Sequence, residues 1–339
     1  MKVAVLSPVA WRTPPEHYGP WEQMASNLTE NLIKLGCEVT LFATGDSITS
    51  GHLNAVIEKG YETDKNQDSK VIECLHISNL MECADDFDII HNHFDFLPLT
   101  YSKLIKTPVI TTIHGFSSEK IIPVFKKYND NTHYVSISNA DRSPDLEYLA
   151  TVYNGINTDE FSFNESPDDY LLYFGRIHHD KGTAEAIAIA KGAQKRLIIA
   201  GIIQDENYFN QQVKPHLNEQ ISFVGHAGPE LRNKLMSNAL ALLHPINFNE
   251  PFGLSVVESM LCGTPVIAFN KGSMPELIQH QQNGFLVNNT QEAIEILNRD
   301  LNINRKFCSD NARERFSSER MAKEYLELYH KIIASSDPY

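Results

Sequence analysis

Glu250 and Glu258 stand with seven residues between them around the turn Pro251-Phe252-Gly253. Carboxylates only accept hydrogen bonds, and their paired oxygens suit the vicinal hydroxyls of a sugar or a ribose. The turn opens an apolar-striped helix, whose first N–H groups lack intrahelical partners and can receive phosphate or sugar oxygens. Gly253 lets the backbone come close to such a ligand. Gly263-Thr264-Pro265 then ends the helix before a buried strand. An isolated glutamate pair is ordinarily a helix-start acid and a solvated side chain. Here Glu258 is the odd residue among Phe252, Leu254, Val256, Val257 and Met260, and a buried carboxylate needs partners.

A second polar loop, Gly175-Arg176-Ile177-His178-His179-Asp180-Lys181-Gly182, sets an arginine and a lysine five positions apart between glycines. A planar guanidinium fork and a compact ammonium converging on one point suit a diphosphate carrying about two charges. An ordinary basic surface loop has the same composition, and the pair alone leaves both readings open. His114 follows the strand-like run Val109–Ile113 and precedes Gly115; a lone histidine there is ordinarily structural. His91-Asn92-His93 offers two imidazoles, but no further ligand stands at a recognisable metal spacing. Tyr18-Gly19-Pro20 precedes a helical pattern, with Pro20 tolerated in the first turn and Glu22 favouring the helix dipole. The first strand is not followed by GxGxxG, which argues against a nicotinamide-dependent enzyme.

The elements that would position these residues alternate regularly. Val3–Leu6, Val39–Phe42, Asp88–His91, Val109–Ile113, Tyr134–Ile137 and Thr151–Tyr153 read as strands, with helical patterns such as Trp21–Leu35 between several of them. The rhythm repeats with Tyr170–Phe174, Arg196–Ala200, Ile221–Val224, Leu240–His244, Pro265–Phe269 and Gly284–Val287. Helical stretches such as Thr183–Lys191 and Gly228–Asn238 separate them. Two such series predict an α/β protein of two doubly wound parallel-sheet domains, and 339 residues suit two domains. Ligands of such sheets bind beyond the carboxyl ends of the strands, which is where Arg176, Lys181 and His114 fall. Asn154-Gly155-Ile156-Asn157 reads as the hinge, and the segment from about Ser317 to Ala334 as an amphipathic helix.

Taken together, and over nearly the whole chain, these segments resemble the retaining GT-B glycosyltransferases of family 4, whose E-x7-E signature matches Glu250 to Glu258. The resemblance implies two Rossmann-like domains facing a central cleft. Residues 1–157 would bind the acceptor, with a C-terminal helix (about 317–339) returning to that domain, and residues 158–316 would bind the nucleotide-sugar donor. It assigns Arg176, Lys181 and the helix start at Gly253 and Leu254 to the donor diphosphate. Glu250 and the backbone near Phe252 would hold sugar hydroxyls, and Glu258 the ribose diol. His114 would meet the sugar from the opposite domain, with His93 and Tyr18 on the acceptor side; for His93, packing as a satisfied histidine competes. The family has two adjacent glycines after the first strand, whereas this chain has Gly19 followed by Pro20, whose missing N–H removes one phosphate donor.

The activity implied is transfer of a hexosyl group from a nucleotide diphosphate sugar to an acceptor hydroxyl with retention of configuration. UDP-glucose is the first expectation for the donor and GDP-mannose the second. No cofactor and no metal are expected. Asp86-Phe87-Asp88 satisfies a DxD metal pattern but precedes a strand, so its carboxylates would point away from the ligand edge. The alternatives carried are a sugar phosphorylase or nucleotide-sugar epimerase on the same fold, and a non-catalytic nucleotide-sugar binder.

Composition narrows the partners. The net charge is −14, shared as 12 basic against 20 acidic residues in 1–157 and 17 against 23 in the remainder. That disfavours nucleic acid, and the absence of a basic amphipathic cluster disfavours anionic membranes and favours a soluble small-molecule or oligosaccharide acceptor. No apolar run reaches the length of a bilayer span, and the short run in Met1–Pro8 reads as a first strand rather than a signal peptide. Five scattered cysteines without CxxC spacing point to reduced thiols in a cytoplasm. Homo-oligomer formation is left open.

Overall fold

The computed structural model describes residues 1–116, 118–299 and 301–336. It divides into two compact units, one comprising Met1–Ile156 and the chain from Ser318 onward, the other Asn157–Ser317.

In the first unit, β1 (Lys2–Leu6), β2 (Glu38–Phe42), β3 (His52–Asn54), β4 (Ile89–Asn92), β5 (Val109–Ile113), β6 (His133–Ser136) and β7 (Ala150–Thr151) form one parallel sheet. The order is β3-β2-β1-β4-β5-β6-β7, so the winding reverses between β1 and β4. Val3, Ala4, Val5 and Leu6 are all fully buried because both sheet faces are covered, which is why the strand reads as an unbroken apolar run. Val3 and Val5 face Leu28 and Leu32 of the helix Pro20–Lys34 and Tyr325, Tyr329 and Ile332 of the helix Ser318–Ser336. Ala4 and Leu6 face Ile77 and Leu80 of the helix Ser69–Met81. The terminal helix buries Met321, Tyr325, Leu328, Tyr329 and Ile332, a single stripe at helical spacing.

The second unit repeats the winding with β8 (Tyr170–Phe174), β9 (Arg196–Ala200), β10 (Ile221–Gly225), β11 (Ala241–His244), β12 (Val266–Phe269) and β13 (Gly284–Val287). Its parallel order is β10-β9-β8-β11-β12-β13, with the reversal between β8 and β11. Leu171, Leu197, Ile199, Leu243 and Ile267 pack against Ile187 and Ala190 of the helix Thr183–Gly192 and Ala293 and Leu297 of the helix Thr290–Leu297. Arg305 fastens the helix Arg305–Phe316 by donating to Asn164 O, Ala239 O, Ser237 O and Thr264 Oγ1 at 2.7–3.1 Å.

The α/β class and the two Rossmann-like parallel sheets are those expected. The edge strand β3 was not expected: it has three residues, two of them exposed, and carries no alternation. Asp86 closes a short turn, Ala84–Asp86, and Asp88 Oδ2 accepts from Lys2 N at 2.7 Å beneath the start of β1. Both acids of the DxD pattern thus sit at the amino edge of the sheet. No described helix is long and apolar enough to cross a membrane, and all five cysteines are free.

Candidate active site

The carboxyl ends of β8 and β11 in the second unit bring three chemical groups together. The loop after β8 carries Lys181, and the loop after β11 carries Glu250. Their Nζ and Oε2 atoms lie 2.5 Å apart, with side chains only 15% and 13% exposed. His244, the last residue of β11, has its Nε2 3.8 Å from the same carboxylate oxygen, is buried, and makes no hydrogen bond through that nitrogen. Burial pulls the His244 imidazole down to about 4, against the pull of Glu250, so the ring is neutral at ordinary pH. Lys181 Nζ also lies 4.5 Å above the Phe248 ring.

Glycine geometry allows this crowding. Gly182 has φ 73°, and a Cβ there would lie 1.8 Å from Pro245 O, so only glycine lets the Lys181 loop pass the β11 loop. Gly253, at φ 97°, precedes the helix Leu254–Leu261, and a Cβ on it would meet Met274 Cε at 2.8 Å. Gly182 and Gly253 occupy the N-cap positions of the helices Thr183–Gly192 and Leu254–Leu261 and bring no side chain to cap them; Tyr208 OH accepts from Ala184 N at 2.9 Å in the first turn of the former. Phe252 is buried, with its carbonyl held by Ser273 Oγ at 2.6 Å. Arg176 does not meet Lys181; its Nη1 bonds Gln204 Oε1 on the loop after β9.

Glu258 has a partner that sequence reasoning missed. Arg232 Nη1, on the helix Pro229–Asn238, lies 3.0 Å from Glu258 Oε1, while Nη2 lies 3.4 Å from Glu160 Oε2. The guanidinium also covers the Phe161 ring at 4.9 Å. Burial raises the Glu258 carboxyl above its ordinary value, and Arg232 opposes that rise. A contact across 26 positions leaves no local signal in the sequence.

The first unit gathers imidazoles at the ends of β4 and β5. His114 Nε2 lies 2.9 Å from His93 Nδ1, and its ring stacks on Trp21 at 5.6 Å. His93 stacks on His91 at 4.2 Å. His91 is held between Tyr329 OH at 2.5 Å and Thr112 Oγ1 at 2.7 Å, and Thr112 in turn meets Tyr325 OH at 2.6 Å. Burial lowers His114 to about 3 and holds His91 and His93 well below their ordinary values. His93 is 1% exposed, too buried to line an open surface, whereas His114 is partly exposed. Tyr18 is exposed and meets Trp11 edge-on at 5.5 Å. Gly19, at φ 155°, lies against Glu22, and a Cβ there would stand 2.8 Å from Glu22 Oε2. Burial pushes the Glu22 carboxyl up to about 7 although backbone N–H groups of Glu22 and Trp11 bond it.

Two further features had no sequence signal. A groove of about 830 Å³ in the first unit is lined in part by Phe116, Ile122, Pro123, Lys126, Asp141 and Arg142. Burial pushes Asp141 up to about 7, and its Oδ2 has no hydrogen-bond partner. In the second unit, His178, His179 and Asp205 each offer a ligand atom within 4.8 Å of the others. Asp180 carboxylate oxygens lie 3.3 and 2.8 Å from the two rings, and Asp205 accepts from Tyr208 N at 2.9 Å.

Comparison with known proteins follows the same division. Residues 156–317 match the family described as Glycosyl transferases group 1, and residues 22–160 match Glycosyltransferase Family 4. An uncharacterized glycosyltransferase of Methanocaldococcus jannaschii is 23% identical over 97% of this chain and 98% of its own. The N-acetyl-alpha-D-glucosaminyl L-malate synthase of Bacillus anthracis is 25% identical over 76% of this chain and 78% of its own. Among solved structures, Anabaena HepE in complex with UDP-glucose shares the fold with a TM-score of 0.74 at 19% identity, covering 98% of this chain and 100% of that one.

Proposed function

Because the chain belongs to the group 1 glycosyl transferases of glycosyltransferase family 4, we propose that it moves a hexosyl group from a nucleotide diphosphate sugar to a hydroxyl of a soluble small-molecule or oligosaccharide acceptor, with retention of configuration. The observation that carries this reading is the Lys181–Glu250 pair, 2.5 Å apart and little exposed. A cation suited to a diphosphate and a carboxylate suited to sugar hydroxyls stand within the span of one donor molecule. UDP-glucose is the preferred donor and GDP-mannose the second; the UDP-glucose held by HepE supports that order.

Lys181 and Glu250 neutralise each other. Donor binding redirects Lys181 to the diphosphate and Glu250 to the sugar hydroxyls. As the anomeric carbon becomes cationic, charge builds on the leaving diphosphate, and Lys181, Arg176 and the uncapped helix start at Gly253 and Leu254 stabilise it. Glu258 takes the ribose diol, and Arg232 favours that carboxylate's ionised, accepting form against the rise that burial causes. The leaving phosphate takes the acceptor proton on the same face, so no side chain serves as nucleophile. His114, neutral, contributes a hydrogen bond rather than a charge. The first unit supplies the acceptor side, with Tyr18 near Gly19 and the Phe116–Arg142 groove as the receiving surface.

The reaction needs no metal under this reading, since cationic side chains and helix N–H groups meet the phosphate charge. The five free thiols suit a cytoplasmic setting. Calorimetric titration with UDP-glucose and GDP-mannose in EDTA tests the site. Saturable binding of one of them, retained in EDTA, is expected; binding that appears only with added Mn²⁺ or Mg²⁺ would refute metal independence.

A further inference from the structure

Three imidazoles in the first unit, two of them buried, stack in sequence, and their hydrogen bonds leave one loose end. His93 Nδ1 and His114 Nε2 are 2.9 Å apart. Both rings are neutral, so one of these nitrogens carries the proton and the other accepts it. His93 Nε2, at the far side of the ring, is buried and has no hydrogen-bond partner. If His93 carried its proton there, a polar N–H would be buried with nothing to receive it. If it carries its proton on Nδ1, the orphan is a lone pair. Orphaned buried donors are the rarer of the two in folded proteins.

We propose that His93 is a positioning residue that holds His114 in its Nδ1–H tautomer, by donating from its own Nδ1 to His114 Nε2. His114 then has no acceptor left on its ring. Whatever approaches from the open side meets an N–H donor, so its partner must be a lone pair, such as a hydroxyl oxygen of the donor sugar. This last step rests on the glycosyltransferase reading; the tautomer does not. The stack has no freedom to rearrange. His91 lies 4.2 Å from His93 and is pinned by Tyr329, while Thr112 and Tyr325 close the same network. Trp21 stacks on His114. Through Tyr325 and Tyr329 the terminal helix packs against His91, on which His93 stacks.

Imidazole tautomers have distinct nitrogen shifts and two-bond coupling patterns, so the full chain labelled with ¹⁵N-histidine tests the proposal directly at neutral pH. His114→Gln assigns the resonance. In the unaltered chain His114 is expected to show the Nδ1–H pattern, and in H93F, which removes the donor, the Nε2–H pattern. H93N, whose amide can donate from the place of Nδ1, should restore the Nδ1–H pattern. An Nε2–H pattern for His114 in the unaltered chain overturns the proposal even if no variant folds. So does an Nδ1–H pattern that persists in H93F. A chain that shows the expected tautomers but transfers no sugar would contradict the functional reading and leave this one standing.

Discussion

Lys181 and Glu250 compensate each other's charge, and their variants should therefore diverge. Lys181→Ala removes a charge from the leaving diphosphate and should lower kcat/KM by an amount equivalent to about 2–4 kcal/mol, the scale of a lost oxyanion donor; steady-state kinetics with an unchanged kcat/KM would remove it from the mechanism. Glu250→Gln frees Lys181 from its partner, so calorimetry should find nucleoside diphosphate bound at least as tightly while sugar transfer falls. Weaker diphosphate binding would show that Glu250 touches the phosphates instead. Glu258 adds a pH dependence. Burial raises its carboxyl and Arg232 opposes the rise, so protonation on acidification should weaken nucleotide binding. Arg232→Met should move that loss to higher pH, and superimposable affinity profiles would count against the pairing. Glu250, Glu258, Arg176 and Lys181 were legible as candidates because their spacing is local to two segments, the loop after β8 and the run from the loop after β11 into the helix Leu254–Leu261. Arg232 and His244 were not, since each acts across a tertiary contact that leaves no periodic trace.

The two loops that hold Lys181 and Glu250 depend on strand ends meeting at close quarters. Gly182 and Gly225 both have positive φ, 73° and 75°, but a Cβ at Gly182 would strike Pro245 O whereas one at Gly225 would meet nothing within 4 Å. Left-handed strain alone costs about 1–2 kcal/mol, so Gly225→Ala should lose about that much stability and Gly182→Ala clearly more, with donor binding impaired. Equal losses in urea unfolding would mean the close approach to β11 is unimportant. Strands such as β1, β5, β8 and β12 were legible because sheets covered on both faces demand continuous apolar runs. The edge strand β3 lacked that demand. The terminal helix showed itself by its stripe, but its contribution to the histidine stack through Tyr325 and Tyr329 could not be read from spacing.

For the chain as a whole, buried ionisable groups predict how stability follows pH. In the first unit His76 falls to about 4 and His114 to about 3, with His91 and His93 also well below their ordinary values. An unfolded chain would protonate these below about pH 6.5, so their contribution is present above that pH and is lost as pH falls. Glu22, Asp95 and Asp141 rise to about 7 and act oppositely, losing stability as pH rises through about 4 to 7. These two effects largely cancel between about pH 4.5 and 6, and below about pH 4 the imidazole effect stands alone. Trp11 and Trp21, the only tryptophans of the chain, both lie in this unit, so their fluorescence follows its unfolding. A urea midpoint nearly flat from pH 6 to 4.5 and falling steeply below 4 is expected; a uniform slope would contradict the burial of these groups. The two-unit α/β plan was legible in the alternation of elements, and the family in motifs at strand ends, while donor and acceptor identity depend on side chains that no motif fixes. The most direct test is release of nucleoside diphosphate from UDP-, GDP- and ADP-sugars incubated with the protein in EDTA. Slow hydrolysis of one donor, abolished in Lys181→Ala, is predicted. Release of sugar 1-phosphate, or no reaction with any donor, would contradict the account.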